Sequence, residues 1–214
     1  QIPTEYNSNV LTWLGDNTKV EQYVAVNTSS STWKKPVTIG RVPNQNLHQL
    51  ENIDYVIICP SEFVSPAKRL AKKHEEIDNM TWAVVTAEQV YNEFSSGTPD
   101  ASAYRWLMKM LYDRAAGDHT KTPKHLLLMG DGTYDNRQIF RASISGANTL
   151  LTYQAKNSTV ETSAYATDDY FGFLEDEAGV RQGVFIDRHA TMNIGVGRLP
   201  VKTLDEAEYM VNKI

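Results

Sequence analysis

From residue 54 onward, short unbroken apolar blocks alternate with longer stretches whose apolar positions recur every three or four residues. Tyr55-Val56-Ile57-Ile58-Cys59, Trp82-Ala83-Val84-Val85 and His125-Leu126-Leu127-Leu128-Met129 show no in-and-out alternation, so each predicts a strand covered on both faces, as in a parallel sheet. Asn193-Ile194-Gly195-Val196-Gly197-Arg198 predicts another strand, and Leu150-Leu151-Thr152-Tyr153 a short one. Between them lie helices. Ser65-Pro66 suits an N-cap and first helical position, followed by one face carrying Leu70, Ala71, His74 and Ile77. Thr86-Ala87-Glu88-Gln89 and Thr203-Leu204-Asp205-Glu206 both have the spacing of a capping box. The helix opening at Thr98-Pro99-Asp100 carries the stripe Ala103, Trp106, Leu107, Met110, Leu111 and stops at Gly117. Strands and helices in this alternation build right-handed βαβ units, so the expected fold is α/β, an open, mostly parallel sheet flanked by helices.

Residues 1–50 follow a different pattern. Val20-Glu21-Gln22-Tyr23-Val24-Ala25-Val26 and Val37-Thr38-Ile39-Gly40 alternate in polarity around the break Asn27-Thr28-Ser29-Ser30-Ser31, which predicts hairpin strands exposed on one face. The expected organisation is therefore the end of a preceding β-rich region over 1–50 and an α/β subdomain over 51–214. Gln1 is not an initiator Met and Ile214 falls inside a helical pattern, so the chain is expected to be part of a longer polypeptide.

Composition changes this picture little. A hydrophobic content of 41%, a charged content of 22% and a net charge of -5 belong to an ordinary globular domain. The acidic balance argues against nucleic-acid partners, and no run approaches the ~20 apolar residues a membrane span needs. The single cysteine excludes an internal disulfide and a cysteine-based metal cluster.

The candidate chemistry gathers after the strand His125 to Met129, where Gly130-Asp131-Gly132-Thr133-Tyr134-Asp135 begins. Loops at the carboxyl ends of strands are where open α/β sheets bind ligands. Asp131, Asp135, Asp168 and Asp169 all fall at or just after strand ends. Carboxylates in such places bind a hard cation, receive a basic side chain, or cap turns. The loop is no phosphate cradle, since Asp135 occupies the third glycine position of a dinucleotide fingerprint and no Gly-Lys-Ser/Thr occurs. Asp187-Arg188-His189 does not complete a phosphoesterase pattern, and Ser145 has no Gly-x-Ser-x-Gly elbow. Cys59, inside an apolar strand and before Pro60, reads as a buried inert thiol, and none of the five histidines has a neighbour marking it as a base. The residues show no complete catalytic set.

Five blocks, Val90 to Asp100, Leu107 to Ala115, Leu127 to Arg137, Thr167 to Gly172 and Ile194 to Pro200, occur in an order that resembles gingipain-family cysteine peptidases. The likeness is strongest to the branch that serves as signal peptidase, or sortase, of the type IX secretion system. The resemblance implies a caspase-like α/β peptidase domain of two similar subdomains, with the catalytic His, in a His-Gly motif, and the Cys nucleophile in the second. This chain resembles the first and has no His-Gly dipeptide. No catalytic residue is therefore expected here, and the isolated chain is expected to be inactive. The implied partners are the C-terminal catalytic subdomain of the same polypeptide and secreted cargo, whose C-terminal sorting domains are removed at the cell surface or outer membrane. By the same resemblance Asp168 lies near the substrate pocket, and the calcium bound by family members makes Asp131, Asp135 and Asp169 candidate Ca²⁺ ligands. Two alternatives stay open: a non-catalytic scaffold or interaction module, and an Asp-rich metal-dependent hydrolase.

Overall fold

The computed structural model describes residues 4–15, 18–20, 22–24, 27, 29–30, 33–38, 40–137, 149–155, 160, 162, 164–176, 180–181, 184–185 and 191–214. The chain divides into two compact units, residues 1–43 and 44–214. In the first, β1 (Thr4–Asn7) and β2 (Val10–Trp13) pair antiparallel, with Asn7 opposite Val10. The two-residue turn is made by Ser8 and Asn9, both left-handed at φ 52° and 65°, the backbone hand that matches strand twist. The described residues of the runs 20–26 and 37–40, expected as strands, are not strands. They are exposed, and polarity alternation without an apolar neighbouring layer does not hold a strand in water.

The second unit is built on four parallel strands. β3 (Tyr55–Cys59), β4 (Trp82–Thr86), β5 (His125–Met129) and an outer strand, Gly195–Leu199, lie in the spatial order outer strand, β5, β3, β4. Chain direction through the sheet reverses between β3 and β5, because the first crossover runs to one side of β3 and the second returns to the other. Helices consequently cover both faces. α1 (Val64–Asp78) packs on one face with Ile57, Cys59 and Met129. α2 (Ala87–Phe94) and α3 (Ser102–Arg114) pack on the other with Val56, Ile58, Leu126 and Leu128. This two-sided burial is what the unbroken apolar blocks demand.

Short pairs complete the chain. β6 (Tyr153–Gln154) pairs with β7 (Ala166–Thr167), and β8 (Val180–Arg181) with β9 (Val184–Phe185). The outer strand is thus β10 in chain order, and α4 (Leu204–Lys213) follows it. Among the described residues no helix is long and apolar enough to cross a membrane.

Three helix details differ from the sequence pattern. A 3-10 turn at Ser61–Phe63 starts α1 early, so Ser65 is not its cap and Pro66 sits inside the first turn, where its missing N–H costs nothing. Phe63, wholly buried, is the anchor that sets this start, while Ile77, 68% exposed, falls off the apolar face. On α3 the buried side is rotated, with Trp106 half exposed and Tyr104, Met108, Arg105 and Lys109 buried. The cause is a loop laid across the helix: Arg105 Nε donates to the Phe173 carbonyl at 2.6 Å and Lys109 Nζ to that of Leu174 at 3.1 Å. Finally, α2 has both bonds of its capping box, Thr86 with Gln89, whereas on α4 Thr203 Oγ1 accepts the Glu206 N–H but Glu206 takes the N–H of Lys202 instead.

The second unit begins at residue 44 because Leu47 is buried against α2 and Glu93 caps the segment. Both Glu93 oxygens accept the Leu47 N–H at 2.8 Å, and they also receive Gln45 Nε2 at 2.8 Å and His48 Nδ1 at 2.6 Å. Burial alone would raise the Glu93 pKa, but these donors outweigh it and hold the group below its ordinary 4.5. Glu93→Gln is expected to cost about 2 kcal/mol of stability at pH 7 in urea denaturation. Because the folded pKa is depressed, that difference from wild type should be complete above the ordinary glutamate value and shrink as pH falls through the folded one.

Candidate functional site

β5 ends at Met129, and Gly130, at φ 158°, turns the chain out of the sheet so that Asp131 stands at its carboxyl edge. The Asp131 N–H donates to the Val201 carbonyl at 3.0 Å and its own carbonyl accepts the Leu150 N–H at 2.8 Å, stitching three segments together beyond the strand ends. Asp168 comes to the same edge from β7 and precedes a 3-10 turn, Asp169–Gly172, whose Tyr170 and Phe171 are buried. Tyr170 stacks on Tyr153 at a centroid distance of 4.3 Å, and Phe171 packs near Tyr104. Apolar burial of the two aromatic residues thus fixes where the adjoining carboxylates can point.

Between these segments stands Arg198, on β10. Its Nε donates to Asp168 Oδ2 at 2.7 Å and its Nη2 to Oδ1 at 2.8 Å, a two-pronged pair in which both side chains are mostly buried, 12% and 23% exposed. The remaining donors reach the carbonyls of Gly130 at 3.0 Å, Leu150 at 3.5 Å and Leu151 at 3.1 Å. Behind the guanidinium lie two phenols that hydrogen-bond each other, Tyr91 and Tyr104. Burial pushes Tyr104 up to about 12, partly offset by Tyr91, the Leu151 backbone and the Arg198 charge, and burial also raises Tyr91.

A cavity of about 410 Å³ opens here, lined by Asp131, Gly132, Thr133, Tyr134, Thr152, Ala166, Thr167, Asp168 and Arg198. Asp131 Oδ2 faces Lys202 Nζ at 3.3 Å, and its Oδ1 accepts the Gly132 N–H at 2.9 Å. Gly132 has to be small, because a Cβ there would lie 2.8 Å from Thr152 Cγ2.

The four acids singled out in the sequence are therefore placed unequally. Asp131 and Asp168 share the cavity, each facing a cation. Asp135 is buried in the loop, its N–H donating to Thr133 Oγ1, and Asp169 is exposed with its N–H on Thr167 Oγ1. Among the described residues no three His, Cys, Asp or Glu side chains are grouped to hold a metal ion. The cations that meet Asp131 and Asp168 are side chains of the chain itself. Arg198 and Lys202 were not legible as site residues in the sequence. Their usable signal was a basic residue at each end of the segment where the last strand leaves the sheet.

Elsewhere among the described residues the one thiol is buried, and two of the histidines are held by acids. Cys59 is wholly buried and its thiol is pushed up to about 12 by burial. His48 is held by Glu93 and His74 by Asp78. Ser143, Ser145 and the segment 187–189 lie outside the described residues.

Parallel strands, a reversal of strand order beside the central strand and loops gathered at the carboxyl edge define a caspase/gingipain-like α/β fold. The chain belongs to peptidase family C25, the gingipain family, whose profile matches residues 48–214. It is similar to the crystal structure of dimeric latent PorU from Porphyromonas gingivalis, with 41% identity and a TM-score of 0.72 over 86% of this chain and 17% of that one. The chain thus spans under a fifth of the PorU chain it matches. A comparison with curated proteins gave no match.

Asp168→Asn removes one charge and leaves Arg198 buried beside a neutral group, and should cost about 3 kcal/mol in urea denaturation. Asp169→Asn, at an exposed side chain one residue on, should change stability by less than about 0.5 kcal/mol in the same measurement. Cys59 should stay unmodified by an aromatic disulfide reagent at pH 8 in the folded protein and react stoichiometrically once urea unfolds it.

Proposed function

We propose that this chain is the non-catalytic α/β subdomain of a gingipain-like cysteine endopeptidase of the type IX secretion system. In that reading the enzyme is exported to the cell surface and removes C-terminal sorting domains from secreted cargo. The observation that carries it is the 41% identity to PorU across 86% of this chain, together with a C25 profile match over residues 48–214 of the α/β unit.

The residues support a supporting role. The sequence has no His-Gly dipeptide, and its one thiol is sealed in the sheet away from substrate. The Cys and His are assigned to the neighbouring catalytic subdomain of the same polypeptide. There the His would take the thiol proton, the thiolate would attack the scissile carbonyl, and the C–N bond would break as the amine leaves with that proton, giving an acyl-enzyme that water or a second amine resolves. This subdomain supplies a wall of the cleft from the carboxyl edge of its sheet. Asp168 belongs to that wall, with both its oxygens taken by Arg198, so its part is to shape the cleft.

The test compares this chain with the full-length gene product on peptides that span a cargo processing site, with cleavage read by mass spectrometry. The expected result is no turnover by the chain alone and turnover by the full-length protein that is lost when the Cys following a downstream His-Gly motif is changed to Ala. A full-length sequence with no such Cys and His would favour a scaffold that keeps the fold without the reaction. Cleavage by the chain alone, abolished by Cys59→Ala, would overturn the assignment.

A further inference from the structure

Arg198 uses its whole hydrogen-bonding capacity at one spot. A guanidinium has five N–H groups in a fixed planar fork. Here they meet five acceptors: the two oxygens of Asp168 and the carbonyls of Gly130, Leu150 and Leu151. These acceptors come from three segments far apart in sequence, the turn after β5, the stretch leading into β6 and the end of β7. All three also contribute to the cavity of about 410 Å³, so one side chain on β10 sets the distances between its walls.

Each carboxylate lining that cavity faces a cation, one of them, Lys202, at its exposed rim. Asp168 is matched by Arg198 and Asp131 by Lys202 at 3.3 Å, while the rest of the lining is hydroxyl, glycine and alanine: Thr133, Thr152, Thr167, Tyr134, Gly132 and Ala166. A cationic or anionic side chain entering it would face a charge already paired and would lose its own hydration without compensation. An uncharged residue able to accept or donate to a hydroxyl would not.

We infer that Arg198 is a positioning residue for peptide hydrolysis, its guanidinium fixing the shape of a subsite at this cavity that takes an uncharged stretch of the substrate. The inference rests on the peptidase reading above. It does not make Arg198 a catalytic residue, because the side chain acts through the segments it holds.

The experiment uses the full-length gene product and a set of peptides carrying a cleaved sequence, with Lys, Glu or Ser placed at one position at a time. Arg198→Lys keeps the positive charge but cannot fork to Asp168 and the three carbonyls together. Its KM should rise roughly tenfold with kcat within about twofold of wild type, the pattern of lost uniform binding away from the reacting atoms. Amide hydrogen exchange should speed up in residues 131–133 and 150–152. In the wild type, one peptide position should tolerate Ser and reject both Lys and Glu, and this selectivity should weaken in the variant. Should Arg198→Lys not fold, Asp168→Asn makes the same test, since it keeps the side chain's size but turns one of the two acceptors into a donor and so breaks the fork.

Faster exchange with unchanged KM would reduce Arg198 to a stability residue and overturn the inference, as would unchanged exchange together with unchanged KM. A position that prefers Lys would show that the cavity reads a cation and would overturn the uncharged subsite. A wild-type protein that cleaves no peptide would overturn the peptidase reading and with it the role in hydrolysis; the exchange measurement would still report whether the guanidinium organises the three segments, so the two failures are separable.

Discussion

The carboxyl edge of this sheet depends on a buried cation having every one of its donors answered. Arg198 sits where β10 leaves the sheet, and a guanidinium only 12% exposed is tolerable there because a carboxylate and three carbonyls replace the water it has lost. An ion pair of this sort contributes little net stability against a well-packed apolar substitute, yet removal of either partner is expensive because the other is left buried and charged. Its value is in geometry. Planar donors accept only one arrangement of the Gly130 turn, the 150–151 segment and Asp168, and that single arrangement defines the cavity walls.

Apolar packing brings the pair together. The reversal of strand order between β3 and β5 leaves a crevice outside the strand ends, the position where open α/β sheets place their sites. Tyr170 and Phe171, buried beneath that edge with Tyr153 and Tyr104, hold the segment carrying Asp168 against α3. Arg105 and Lys109 fasten the following loop to the same helix through the carbonyls of Phe173 and Leu174. Arg105, Lys109 and Arg198 therefore act as ties for backbone carbonyls, which is how irregular connections satisfy polar groups away from water.

Membership of peptidase family C25 gives this arrangement a setting. A fold that hosts a thiol nucleophile elsewhere needs a neighbouring surface that is rigid on the scale of a peptide bond, because small displacements of a bound substrate lower rate steeply. In the function proposed above, the α/β unit would supply such a surface. Cys59, buried in β3, packs in the sheet with its Sγ 3.9 Å from the Val85 carbonyl.

The residues by themselves determined the α/β class, the parallel strands and the helices, since unbroken apolar blocks and three-to-four spacing report burial directly, whatever the neighbours are. They also marked Asp131 and Asp168 as lying at strand ends. What they could not determine was the partner of each acid. Arg198 is 30 residues from Asp168 and 68 from Gly130 along the chain, and only the pairing of β10 with β5 brings them within hydrogen-bond reach. For the same reason the buried side of α3 was misjudged at Arg105 and Lys109, because local periodicity carries no trace of a loop folded over the helix from some 65 residues away. Periodicity is a property of neighbours in sequence, whereas the balance of a buried charge is settled by neighbours in space, and so the scaffold was written in the chain while the character of its cavity was decided by the tertiary fold.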